Sequence, residues 1–211
     1  MSIEKKAELL VQHYQDTFDL TYKFWSQRNR IFLILLVVVA LASLLTYVPE
    51  TNSILLSWLG KVVGITDQNE LRKSIPFAFL QGILLAVVFY LMVNLFHRAL
   101  YILRNYNYLG ELEREIRTIL DFTENDKAFT RESTFYWNKR QWPLTTVKYV
   151  YVIFLGVLLL SFLGGRICSD FCMGNLLLSL VDIAIAIPTL GYFIAFSWYS
   201  IGLDKHPDGI K

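Results

Sequence analysis

The stretch IFLILLVVVALASLLTYV at residues 31–48 contains no charged residue, no glycine and no proline. A helix crossing a hydrocarbon core of roughly 30 Å needs about 20 such residues. Three further apolar stretches follow at 76–96, 147–164 and 176–200, each meeting or nearly meeting that length. The segments around them sort the basic residues. The segment before the first stretch, the one between the second and third with Lys148 at the edge of the third, and the tail together hold sixteen Lys and Arg. The two remaining connections hold four: Lys61, Arg72, Lys73 and Arg166. Basic residues accumulate on the cytoplasmic side of a membrane. The pattern predicts an all-α integral membrane protein with four transmembrane helices and both termini cytoplasmic.

Composition agrees with that reading. With 55% hydrophobic residues over 211 positions, the chain reads as one compact membrane unit. A net charge of +2 is too small for nucleic-acid binding, and the basic residues interleave with acids such as Glu111, Glu113 and Glu115. The polar first 30 residues show no small-residue cleavage site after an apolar core, so the first span is expected to be retained. No lipidation signal or low-complexity tract stands out.

Two segments outside the spans carry helical stripes. Ile3, Ala7, Leu10, Tyr14, Thr17, Thr21 and Phe24 fall at 4-3 spacing. No glycine or proline occurs from Met1 to Val48, so this arm is expected to run into the first span as one helix. The second span has no proline after Pro76 until Pro143. Beyond His97 its pattern becomes one-sided, at Leu95, Ala99, Ile102, Tyr106, Leu109, Leu112, Ile116 and Leu120. A helix over 76–122 would be about 70 Å long at 1.5 Å per residue. Pairing the two stripes, chiefly Leu10 and Tyr14 against Ile102, Tyr106, Leu109, Leu112 and Ile116, predicts a cytoplasmic antiparallel coiled-coil stalk. The pattern leaves open whether the pair forms within one chain or between two.

The remaining segments are connections. Ile54, Leu55, Trp58, Leu59, Val62 and Ile65 suggest a short interfacial helix in the first outer loop. Phe129, Phe135, Tyr136, Trp137 and Trp142 lie among Arg131, Lys139 and Arg140, the composition of an anchor at an anionic inner leaflet. The expected organisation is therefore an amphipathic helix at 1–28, a first hairpin at 29–97 and a cytoplasmic helix at 98–122. An interfacial linker at 123–146, a second hairpin at 147–200 and a tail at 201–211 complete it.

Candidate functional residues lie on the fourth span. Asn175, Ser179, Asp182, Ala186 and Thr189 form one polar and small stripe, and Asp182 sits about 9 Å inside the outer end. Pro188 removes a backbone donor and is expected to act as a hinge. Phe193 and Phe196 continue the stripe as an apolar constriction. A polar outer half above such a constriction suits a pore-lining helix. Asp182 is equally readable as a packing device, hydrogen-bonded to Ser161, Gln81 or Asn94 of another span. Cys168 and Cys172 share the last outer connection and read either as two thiols or as a disulfide.

Catalytic patterns are absent. His13, His97 and His206 carry no metal-ligand spacing, and neither a phosphate loop nor a G-x-S-x-G elbow occurs. The chain is not expected to be an enzyme or to hold a metal or cofactor.

The arm YQDTFDLTYKFWSQRNR at 14–30 enters a short first span, and LRNYNYLGELEREI at 103–116 extends the second. This layout over residues 1–122 resembles the small membrane effectors of bacterial antiphage systems, the SLATT and S-4TM group. The membrane subunit of Kiwa-type defence is similar in style. This chain adds a second hairpin at 147–200 that a two-span SLATT module lacks. The resemblance implies a homo-oligomer in the bacterial inner membrane that forms a regulated ion-permeable path on infection. It implies no catalytic residues. A cytosolic protein or small molecule would act as trigger through the stalk. The alternative is a non-conducting anchor that recruits a cytosolic partner through the same stalk. A secondary transporter ranks third, because the spans offer one carboxylate and no evident repeat.

Overall fold

In a computed structural model the chain forms four long helices: α1 (Ile3–Tyr47), α2 (Phe77–Ile119), α3 (Trp142–Cys172) and α4 (Leu176–Gly202). The structure describes residues 2–48, 54, 57, 58, 61, 62, 77–123, 126–130, 142–172 and 176–202. No strand occurs among them. All four helices are long and apolar enough to cross a membrane.

The local causes are visible at the helix ends. Ser2 starts α1: its hydroxyl accepts from the Lys5 amide at 3.4 Å and its carbonyl from the Lys6 amide at 3.1 Å. With no breaker inside, α1 runs for 45 residues. The expected second helix ends at Ile119 rather than at 122, because Asp121 adopts φ 54°. The Phe122 amide then reaches back to the Arg117 carbonyl at 3.0 Å, a left-handed helix stop of the Schellman type. Arg117 fixes the following turn by donating to the carbonyls of Thr123, Asp126 and Ala128 at 2.6–2.7 Å. In α3, Pro143 is the second residue, where a missing amide costs no helical bond.

The chain divides into two compact units. The first comprises Met1–Arg30, Leu95–Val150 and Phe196–Lys211. In it the arm of α1 packs antiparallel on the second half of α2. The register follows from Lys6 to Glu115 (3.3 Å), His13 to Tyr108 (2.9 Å), Tyr14 to Glu113 (2.9 Å) and Thr21 to Asn105 (3.1 Å). Phe24 meets Tyr101, and Arg98 donates to Gln27. Ile102, Leu109, Leu112 and Ile116 are buried there, and Leu10, Tyr14 and Tyr106 are half-buried. Both stripes stop short of their expected ends, since Ile3 and Leu120 are exposed. The pairing therefore forms within one chain. Phe129 closes on Tyr14 and Phe122 at ring distances of 5.9 and 6.3 Å. That packs it on the helix pair. The neighbouring Phe135, Tyr136 and Trp137 lie outside the described residues.

The second unit comprises Ile31–Asn94 and Tyr151–Ala195. Leu35, Val39, Ala42 and Leu45 of α1 face its interior, as do Leu85, Val88 and Met92 of α2. Leu155, Leu159, Phe162 and Leu163 of α3 fill the rest with Ala186 of α4. The 3-and-4 spacing on each helix is that of bundle packing. The opposite faces are apolar too, for example at Val37, Val87, Val157 and Ile187, which are exposed. Helices apolar all round suit a lipid surround. Of the expected interfacial helix, Ile54, Trp58 and Val62 are helical and exposed. Its Leu55, Leu59 and Ile65 lie outside the described residues.

Gly165 shows why α3 needs glycine where α1 meets it. A Cβ there would sit 2.5 Å from the Tyr47 phenol oxygen. That phenol donates to the Ser161 carbonyl at 2.7 Å.

Candidate functional site: a buried ion cluster

The third helix continues eight residues past the expected span end at 164, to Cys172. This places Arg166 and Asp170 on a helix rather than in a loop. They are one turn apart on one face, with Arg166 Nη2 3.1 Å from Asp170 Oδ2. From α4, Asp182 Oδ2 approaches Arg166 Nε at 2.7 Å. From α2, the Gln81 side-chain carbonyl accepts from Arg166 Nη1. The guanidinium thus ties three helices together through its planar fork. Relative exposures of 2% for Arg166, 1% for Asp170, 3% for Asp182 and 5% for Gln81 place the cluster out of water.

The expected stripe of α4 is a real face. Ser179, Asp182, Ala186 and Thr189 are all buried, at 3% exposure or less. They face the interior of the second unit. Asn175 lies outside the described residues. Pro188 is half-buried, and α4 continues through it to Gly202. Next to it, the Thr189 hydroxyl donates to the Ile185 carbonyl at 2.7 Å. Phe193 lies against Gly156 of α3, where a Cβ would stand 2.9 Å from its ring.

The partners named for Asp182 from sequence sort differently. Gln81 belongs to the cluster, but through Arg166. Ser161 offers its carbonyl to Tyr47, and Asn94 donates to the Tyr90 carbonyl of its own helix at 2.9 Å. Arg166 and Asp170 were missed because Gly164, Gly165 and the polar residues after them read as a loop. The R-x₃-D spacing was the available signal, since a span carboxylate such as Asp182 needs a cation. Cys168 is an exposed free thiol. The side chain of Cys172 lies outside the described residues.

The arrangement is a buried cluster of one guanidinium and two carboxyl groups. No cluster of three or more metal-binding side chains occurs among the described residues. A buried ion pair adds little net stability over an apolar replacement. Its usual value is to specify one arrangement of the elements it joins, or to switch between two. No known protein family, characterised protein or solved structure matches this chain.

Proposed function

We propose that the chain is a regulated membrane effector of the bacterial inner membrane, assembled from several copies, whose spans open an ion-permeable path on a signal received by the helix pair. The observation that carries this reading is the Arg166 fork between Asp170, Asp182 and Gln81, buried among three helices whose described span residues carry no other charge. Such a cluster holds one packing of α2, α3 and α4 and releases it when the fork is lost. In the resting chain the stripe of α4 is closed to water, so conduction requires α4 to move or copies to assemble. Helices α1 and α2 each run unbroken from the paired arm into a span, which gives a signal a mechanical route. The imbalance of sixteen basic residues to four supports cytoplasmic termini and a cytoplasmic helix pair. The layout of residues 1–122 supports antiphage defence as the setting. Ion flux into liposomes, compared between wild type and Arg166→Lys, tests the reading.

A second reading is a non-conducting anchor that recruits a cytosolic partner through the helix pair. The burial of Ser179, Asp182, Ala186 and Thr189 within one chain favours it, because these side chains are turned away from solvent. Absence of flux from both proteins would select it.

A further inference from the structure

We propose that the Arg166–Asp170–Asp182 cluster is a binding site for one monovalent cation, a proton or a sodium ion. The argument begins with charge. Along the described helical residues of α1 from 31 to 47 and of α2 from 77 to 94 there is no charged side chain. From 151 to 172, α3 carries only Arg166 and Asp170, and α4 carries only Asp182. With both carboxylates ionised, the cluster therefore holds one positive and two negative charges. A net negative charge out of water, with no other ion in these segments, is strongly unfavourable. One further unit of positive charge neutralises it.

The ligand geometry supplies the second observation. Asp170 Oδ2 and Asp182 Oδ2 are buried and both turn to the one guanidinium, at 3.1 and 2.7 Å, while the buried Ser179 Oγ takes no hydrogen bond among the described residues. The guanidinium is the sole compensation for the two carboxylates there. Ser179 is one turn from Asp182 on the same buried face of α4, at 1% exposure. Carboxylate and hydroxyl oxygens are hard donors, of the kind suited to a proton or a small alkali cation. Of the groups facing the cluster, α2 presents neutral Gln81. The Tyr47 phenol of α1, next to Gly165, is neutral and committed to the Ser161 carbonyl. Neither supplies the missing charge. The inference does not rest on conduction, so its test and the flux test fail independently.

The experiment is thermal unfolding of the purified full-length protein in micelles, for wild type, Asp182→Asn and Asp170→Asn. One arm varies pH at fixed sodium. The other varies sodium at fixed pH, with choline holding the ionic strength. A ligand that binds only the folded state stabilises it in proportion to the logarithm of its activity. Wild type should lose melting temperature as one cation is withdrawn, by on the order of 4 °C per tenfold change. A response to pH alone identifies a proton, and a response to sodium identifies sodium. Either Asn variant already has a neutral cluster, so its response should flatten. Wild type indifferent to both cations would overturn the proposal whether or not the variants fold. So would a response retained in full by whichever Asn variants do fold.

Discussion

Arg166 and Asp182 meet at 2.7 Å across α3 and α4, and each is almost fully buried. Their relationship is asymmetric, because Arg166 also serves Asp170 and Gln81 while the guanidinium is the one cation paired with Asp182 among the described residues. Removing Arg166 alone therefore strands two carboxylates. Arg166→Leu should cost about 3–5 kcal/mol of folding stability, the usual penalty for leaving a buried charge uncompensated. The triple change Arg166→Leu, Asp170→Asn, Asp182→Leu removes the charges together and should recover most of that loss. Denaturant titration in micelles checks it. A triple variant as unstable as the single one would mean that packing, not charge, sets the cost.

Gly165 should resist any side chain. Gly165→Leu forces Tyr47 away from the Ser161 carbonyl and overpacks the contact between α1 and α3, costing about 1–3 kcal/mol. Adding Tyr47→Ala should relieve the clash and return part of the stability. A double variant showing the plain sum of the two single losses would contradict this contact.

The helix pair has a definite register. Lys6 with Glu115 and His13 with Tyr108 bracket Leu10 on one helix and Leu112 on the other. Cysteines placed at Leu10 and Leu112 should oxidise to an intramolecular bond that leaves the monomer band on a denaturing gel. A crosslinked dimer instead would show that the arm pairs between chains.

Asp126 gives the turn after α2 a pH dependence. The Thr123 backbone amide, then its hydroxyl, hold the Asp126 carboxyl below the usual carboxylate range, with Arg117 adding to the effect. A folded value below the unfolded one means the contribution is complete above about pH 4 and is lost as acid protonates the group. At neutral pH, Asp126→Ala should speed hydrogen exchange at Phe122 and Thr123 several-fold. The gap from wild type should close in acid. A gap that persists when Asp126 is protonated would remove the carboxylate from the account.

Much of the fold was legible in the sequence, for a physical reason. Long apolar runs and one-sided stripes are local signals, and both survive into α1 and α2 with shifts of a few residues. The fourth-span stripe was legible as a face, through the spacing of Ser179, Asp182, Ala186 and Thr189. What it faces was not, because that depends on partners distant in sequence. Arg166 reads as a loop residue until α4 supplies Asp182 and Tyr47 supplies a reason for Gly165. The helix stop at Asp121 was hidden likewise, since a left-handed conformation is common for glycine and less so for aspartate.

The proposed account stands or falls most directly on ion flux. Wild type and Arg166→Lys would be reconstituted at equal density into liposomes loaded with an ion-sensitive dye. Lysine keeps the charge but cannot span Asp170, Asp182 and Gln81 as the guanidinium fork does, so the closed packing is weakened while folding is spared. The account predicts low flux from wild type and a rise on the order of tenfold from Arg166→Lys, the factor that corresponds to about 1.4 kcal/mol of lost closed-state preference. A folded Arg166→Lys protein whose flux matches empty liposomes, as wild type does, would contradict it.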